Sequence, residues 1–304
     1  MVRNIKFIAE FTTNHMGNLN ILLEMVKMAS WAGADYIKMQ KKDVKSFYSK
    51  KKLDSEFISP YGKTYYDYRK IFEFNERDFN VFDEECKKYN IKWFATAQDE
   101  NSLDFLKKYN LDAYKIASCN ANKESLLKYF SEEISEDSTV VISIAGLSIA
   151  EIENTLNFFP RHNVLLNHCV AEYPCKEENL KLGNIKELKS RFGDERIKIG
   201  YSGHEIGTNA TLYACDLGAT FVERHFCLSR HSFVHHIECS LEPNEFKLMV
   251  ESINSAHNSP SLKKKINPLA LESNFGMSEK EKSFLVDNTY GKSNLEDPSR
   301  FYKK

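Results

Sequence analysis

Short apolar runs alternate with amphipathic stretches along most of the chain, beginning with the strand-like "IKFIAE" (5–10) and a following segment (19–34) whose apolar positions fall three and four apart. The pattern repeats with strand-like runs at 35–40, 91–97, 112–118, 139–146, 163–169, 197–204 and 220–225, each followed by a stretch of helical spacing, the last being "PNEFKLMVESINSAH". Eight strands in strict alternation with helices predict a parallel sheet. Eight such units over about 250 residues match a (β/α)8 TIM barrel. A doubly wound open sheet is the rival, but it would want a glycine-rich turn after the first strand, and "EFTTNHMGN" holds only Gly17. The barrel is expected to occupy residues 1–259, and 260–304 to be a short irregular C-terminal tail without a clear core. Residues 41–75 are a long polar excursion after the second strand, and loops of that length are functional or mobile.

In this fold the active site lies at the C-terminal ends of the strands. Those ends carry Glu10, Asn14 and His15; Lys38 and Gln40; Thr96 and Gln98; Lys115 and Ser118; Ser143; Asn167 and His168, with Tyr173 nearby; Ser202 and His204; Glu223 and His225. Strand ends reach solvent, so one polar residue at each means little by itself. The residue types mean more. Lys38 and Lys115 interrupt the apolar runs "YIKMQ" and "AYKIAS", where a lysine is costly unless an anion meets it. Converging with Ser118, Ser143 and Ser202, they would cradle a phosphate and a carboxylate. His204 and His225 end neighbouring strands, so their rings can approach one point, as a divalent metal requires. No cysteine cluster marks a closed structural zinc site.

Charge narrows the class. Lys and Arg number 42 against 43 Asp and Glu, so no global basic field invites nucleic acid or a membrane surface. The N-terminus has no secretory apolar segment and no run reaches spanning length. Seven scattered cysteines without a C-x-x-C pair read as reduced thiols, and the expectation is a cytoplasmic protein. The basic run "KKDVKSFYSKKK" (41–52) reads as a solvated loop, or as a lid drawing in an acidic substrate, or, more remotely, as an RNA contact. Trp31 and Trp93 are expected in the core, and cysteines 119, 169, 175 and 227 as small buried hydrophobes.

These residues carry a family resemblance. "IAEFTTNHMGN", "AGADYIKMQ", "AYKIAS", "IGYSGH", "VERHF" and "CSLEP" resemble, in order, the blocks of the sialic acid synthase family, from residue 5 to about 255. The resemblance implies a (β/α)8 transferase that condenses phosphoenolpyruvate with an acylamino sugar aldehyde, giving a nonulosonic acid of the sialic, legionaminic or pseudaminic type. It implies Mn2+ or Mg2+ as cofactor, small-molecule substrates and a homodimer. By matching position, Lys38, Lys115, Ser118, Ser143 and Ser202 would bind phosphoenolpyruvate, Glu10 would be the acid/base carboxylate, His204 and His225 the metal ligands, and Gln40 and Tyr173 sugar contacts.

The departures cluster on the sugar side. His236 stands where the family carries a sugar-binding Asp, Ala171 where it carries Asn, Lys41 where Thr is usual, and "SIAG" where S-T-G is usual. The family's C-terminal antifreeze-like domain, which lends an arginine to the partner's sugar site, is expected to be lacking, although "KSFLVDNTYG" resembles the segment leading into it. His231, His235 and His236 fall in the loop after the eighth strand. They read either as a solvated histidine-rich loop or as sugar or metal contacts, with His236 the candidate sugar contact. An acceptor other than N-acetylmannosamine is expected: a deoxy or diamino sugar, or one with an anionic group for His236 or Arg230. Two other functions stand beside the synthase: another barrel aldolase or lyase on a phosphorylated sugar, including a Schiff-base enzyme, and a non-enzymatic barrel that binds a sugar acid.

Overall fold

In the computed structural model, which describes residues 5–255, 264–282 and Leu285, eight parallel strands close into a barrel. In chain order the strands are β1 (Lys6–Glu10), β2 (Tyr36–Lys41), β3 (Glu56–Ser59), β4 (Gly62–Thr64), β5 (Lys92–Ala97), β6 (Ala113–Ile116), β7 (Thr139–Ser143), β8 (Asn163–His168), β9 (Ile197–Gly203) and β10 (Phe221–His225). The barrel runs β1-β2-β5-β6-β7-β8-β9-β10 and returns to β1, so the open-sheet rival is excluded. All eight predicted strands are barrel strands; β3 and β4 are a separate antiparallel hairpin in the excursion.

The two-residue period of each strand sorts its side chains. Phe7 and Ala9, Ile37 and Met39, Val140 and Ile142, and Val164 and Leu166 face outward into the main core under the surrounding helices. Ile8, Phe94, Ala113, Val141 and Leu165 face inward, with Tyr36 and Phe221 beside them, and plug the base of the lumen. Helix starts follow local chemistry: Asn75 and Ser148 each form a capping box, and Asn18 caps Leu19–Trp31. Gly218 ends the helix Asn209–Leu217 at φ +115°, a left-handed conformation that glycine adopts without steric cost.

Three expectations need correcting. The excursion is not a solvated loop: Val44, Phe47, Tyr48, Leu53, Tyr65, Tyr68 and Phe72 form a second apolar cluster with Cys119, Ala145, Cys169 and Ala171 over the mouth. Its aromatics bury themselves against the barrel rim, and Lys45, Lys50, Lys51, Lys63 and Lys70 face outward, whereas Lys42 is buried. Trp31 is 48% exposed, with the Lys247 ammonium 4.1 Å above its ring, because it lies on the outer face of its helix; Trp93 is buried as expected. The described part of the tail has a core, with Ile266 and Ala270 packed into the main cluster. It is tied to the barrel by Leu182 N–H to Ala270 O (2.7 Å) and Ala171 N–H to Glu281 (3.2 Å). Residues 256–263 and 286–304, including most of "KSFLVDNTYG", lie outside the described residues. Among the described residues no helix is long and apolar enough to cross a membrane.

Candidate active site

Strand parity also decides what meets above the apolar plug. The inward positions one step further along β1, β2, β6, β9 and β10 are Glu10, Lys38, Lys115, Ser202 and Glu223, and all are buried. Register pairs Glu10 with both Lys38 and His225, and Glu223 with Ser202. Lys38 Nζ lies 2.7 Å from Glu10 and 3.2 Å from Glu223. Lys115 bonds both Glu223 oxygens at 2.6 Å, and Ser202 donates to Glu223 at 3.2 Å. The anions expected to meet the two lysines are thus, in this state, two carboxylates.

Electrostatics follow from that packing. Burial alone would raise the Glu223 carboxyl, but Lys115 and Lys38 outweigh it and hold it at about 2. Burial lowers Lys38 to about 7, with Glu223 opposing the shift and Lys115 adding to it. Glu10 accepts from Gln40 Nε2 (2.9 Å) and from the Thr12 N–H (3.1 Å) through one oxygen, while the other faces Lys38. Gln40, read as a sugar contact, therefore also positions Glu10.

On the other side of the lumen four rings gather. His204 and His225 have centroids 5.3 Å apart, the Tyr173 ring lies tilted 4.2 Å from His204, and His236 lies 4.0 Å from Tyr173 and 6.2 Å from His225. Burial lowers His204 to about 4 and holds His225 well below its ordinary value, so both imidazoles are neutral near pH 7. His204 Nδ1 donates to the Val170 carbonyl at 2.7 Å, which leaves its Nε2 lone pair free for a metal ion. Among the described residues no three His, Cys, Asp or Glu side chains form a metal cage. Two neutral imidazoles side by side in a cavity fit a divalent ion whose remaining ligands come from substrate or water.

All eleven predicted site residues line one cavity of about 420 Å³. So do residues the sequence reading left out of the site: Thr96, Gln98 and Glu223 from strand ends, Lys42, Tyr48, Lys52 and Arg69 from the excursion, His235, and Leu285. Glu223 had a signal, since it stands two residues before His225 and shares its face. Thr96 Oγ1 is buried without a hydrogen-bond partner, capacity that a ligand can use. Of the loop histidines, His235 and His236 line the cavity, whereas His231 is exposed and does not. Arg230 is committed elsewhere: its guanidinium bonds Glu245 and the Ser240 carbonyl, so it does not await an anionic substrate.

Residues 25–265 match the model of the NeuB family. The chain belongs to the NeuB family. As a member it is a sialic acid synthase-like transferase. It is 34% identical over 258 residues to the N-acetylneuraminate-9-phosphate synthase of Drosophila melanogaster, covering 83% of this chain and 68% of that one. It is 29% identical to the N,N'-diacetyllegionaminic acid synthase of Campylobacter jejuni, over 81% of this chain and 74% of the relative. The crystal structure of N-acetylneuraminic acid synthetase from Leptospira borgpetersenii superposes with a TM-score of 0.71 at 30% identity, over 86% of this chain and 87% of that one. In this NeuB-family barrel the ordered blocks of the sequence and the cavity at the strand ends coincide.

Proposed function

We propose that the chain condenses phosphoenolpyruvate with an acylamino sugar aldehyde, giving an α-keto sugar acid and phosphate in a divalent-metal-dependent reaction. One observation carries this reading. A single NeuB-family cavity sets two buried lysines, with three serine hydroxyls on its wall, opposite two neutral imidazoles.

Lys38 and Lys115 would exchange part of their carboxylate pairing for the phosphate and carboxylate of phosphoenolpyruvate, with Ser118, Ser143 and Ser202 donating hydroxyl hydrogen bonds. His204 and His225 would hold Mn2+ or Mg2+, and imidazole ligands lean towards the softer Mn2+. The ion's chemistry there is Lewis-acid polarisation of the aldehyde oxygen. Tyr173, Gln40 and His236 line the same space and would orient the sugar, so that the enol carbon faces the aldehyde carbon. Bond formation leaves an oxocarbenium at the former enol carbon. Glu10, fixed by Gln40, Thr12 and Lys38, would take a proton from the water that adds there. The resulting hemiketal phosphate ester collapses with C–O cleavage, the phosphate leaving with the bonding electrons. Phosphoenolpyruvate is a cytoplasmic metabolite, so this reading puts the protein in the cytoplasm; a homodimer is what the family resemblance adds.

Lys38 favours a second reading. An amine lowered to about 7 by burial is a competent Schiff-base nucleophile, which suits an aldolase. Two measurements separate them. Phosphate release from phosphoenolpyruvate, across a panel of acylamino hexoses with Mn2+, is expected for the synthase. Borohydride trapping of substrate on Lys38, with no phosphate release, would replace it by the aldolase.

A further inference from the structure

The ladder between β9 and β10 ends one residue short of the two histidines. Its last pair is Gly203 with Arg224, and His225 pairs instead with Glu10 of β1. Among the described residues no strand pairing sets His204 against His225, although their ring centres stand 5.3 Å apart. Other bonds must hold that separation.

Arg224 points out of the barrel, since Glu223 and His225 on either side of it point in. Outward neighbours such as Phe7, Ala9 and Val222 are apolar, yet Arg224 is 0% exposed among them. Its Nη1 shares two hydrogens among Glu205 Oε1 (2.9 Å), the Gly207 carbonyl (2.8 Å) and Thr211 Oγ1 (2.8 Å). Its Nη2 donates to the Glu205 carbonyl at 2.7 Å. Glu205 also accepts from Thr211 Oγ1 (2.9 Å) and, on its other oxygen, from the Tyr201 hydroxyl (2.8 Å). Gly203 makes room for this carboxylate, because a Cβ there would stand 2.5 Å from Glu205 Oε2.

These bonds grip the backbone around His204. The Cys175 N–H holds the His204 carbonyl at 2.9 Å, and Arg224 holds the carbonyls of Glu205 and Gly207. The guanidinium that does so belongs to the residue before His225. Neither Arg224 nor Glu205 lines the cavity, so neither touches a substrate there. Stability alone is a poor reason for the pair. A buried ion pair contributes little beyond apolar side chains of the same volume, and Arg224 Nε is buried without a hydrogen-bond partner.

We propose that Arg224 and Glu205 are positioning residues: a brace behind the barrel wall that sets His204 against His225 at the spacing a shared divalent ion requires. This rests on the metal-dependent reading above. A guanidinium suits the task, because its planar fork reaches a carboxylate and two carbonyls from one rigid group. Lysine keeps the charge but offers one nitrogen on a flexible stem, so it does not reproduce the fork.

The test uses Arg224→Lys and Glu205→Gln in the full chain. Calorimetry reads the affinity for Mn2+ without substrate, and separately the affinity for phosphoenolpyruvate. Each substitution should weaken Mn2+ binding roughly ten- to a hundredfold, the usual cost of losing a group that orients a metal-ligating histidine, while phosphoenolpyruvate affinity stays within about threefold. In turnover, the Mn2+ concentration for half-activation should rise by the same factor, and excess Mn2+ should restore most of kcat. Residues that only support the fold would lower both affinities together, with no rescue by Mn2+, and that result would overturn the proposal. So would a folded Arg224→Lys variant with wild-type Mn2+ affinity. Tyr201→Phe removes one bond to Glu205 on a nearly isosteric ring and should weaken Mn2+ binding about threefold, the scale of one hydrogen bond. It decides the matter should both charged variants fail to fold, and unchanged Mn2+ affinity there would count against the brace. If the wild type binds no Mn2+ and turns over in EDTA, the metal reading fails. The brace is then read from crystal structures of the wild type and of Arg224→Lys or Tyr201→Phe. Displacement of His204 from His225 in a variant supports it, and rings still 5.3 Å apart overturn it.

Discussion

Lys115 and Glu223 join across the lumen, from strands on opposite sides of the barrel, with the ammonium 2.6 Å from both carboxylate oxygens. Lys38 shares the same carboxylate at 3.2 Å. The floor is therefore closed by its own counter-charges, and an entering dianion must share or displace Glu223.

Glu223→Gln should destabilise the fold. It leaves Lys115 and Lys38 buried with one carboxylate between them, and breaking a buried ion pair typically costs about 3–5 kcal/mol. Phosphoenolpyruvate would restore the missing charge, so it should raise the melting temperature of the variant more than that of the wild type. A variant as stable as wild type in urea would show that the carboxylate is not needed there.

Lys115→Ala should weaken phosphoenolpyruvate binding roughly ten- to a hundredfold, because a charge-assisted contact is worth about 1.5–3 kcal/mol. Lys38→Ala should do the same and also loosen Glu10, its partner at 2.7 Å. Calorimetry decides, and unchanged affinity would remove either lysine from the site.

The fold should weaken in mild acid. Burial lowers His15 to about 3 and His168 to about 4, below their unfolded value of 6.5. The unfolded chain then binds the extra protons, so this stability is complete above pH 6.5 and falls towards pH 4, by on the order of 1–2 kcal/mol per imidazole at pH 5. Glu223, depressed to about 2, adds a further loss below its unfolded value of 4.5. Urea midpoints at pH 7.5 and pH 5 should differ accordingly, and His168→Asn should shrink the difference. Coincident midpoints would contradict the assignment of these rings as neutral and buried.

His204→Ala/His225→Ala should remain folded and lose metal-dependent turnover, since both rings line the cavity and neither belongs to the apolar core. Circular dichroism checks the fold and phosphate release checks activity. Full wild-type activity in excess EDTA would take the metal out of the reaction.

His236→Asp should shift acceptor preference towards N-acetylmannosamine. A neutral imidazole cannot copy the acceptor-only role of a carboxylate towards sugar hydroxyls. His236 has φ +63°, a left-handed conformation that Asp tolerates better than most residues, so the backbone admits the change. Strong wild-type activity on N-acetylmannosamine, unimproved by the substitution, would mean that His236 does not govern acceptor choice.

How much of this was legible differs by residue. The order and parity of the strands follow from local pattern, because alternation within a strand and helical spacing between strands depend on near neighbours alone. That was enough to put Glu10, Lys38, Lys115, Ser202, His204 and His225 at one end of a barrel, and the ordered blocks supplied their candidate roles. Glu223 was readable by the same parity. Its pairing with Lys115 was not, since the partners are 108 residues apart and meet only when the barrel closes. Lys42 and Arg69 carried no periodic signal at all. They lie in an excursion whose aromatic residues find their partners on the barrel rim, and a run of lysines looks the same in sequence whether it faces water or roofs a cavity. Local pattern settled the barrel and the ends of its strands. Tertiary closure settled which charges are neutralised, because burial and distance between remote segments decide whether a cation meets its anion.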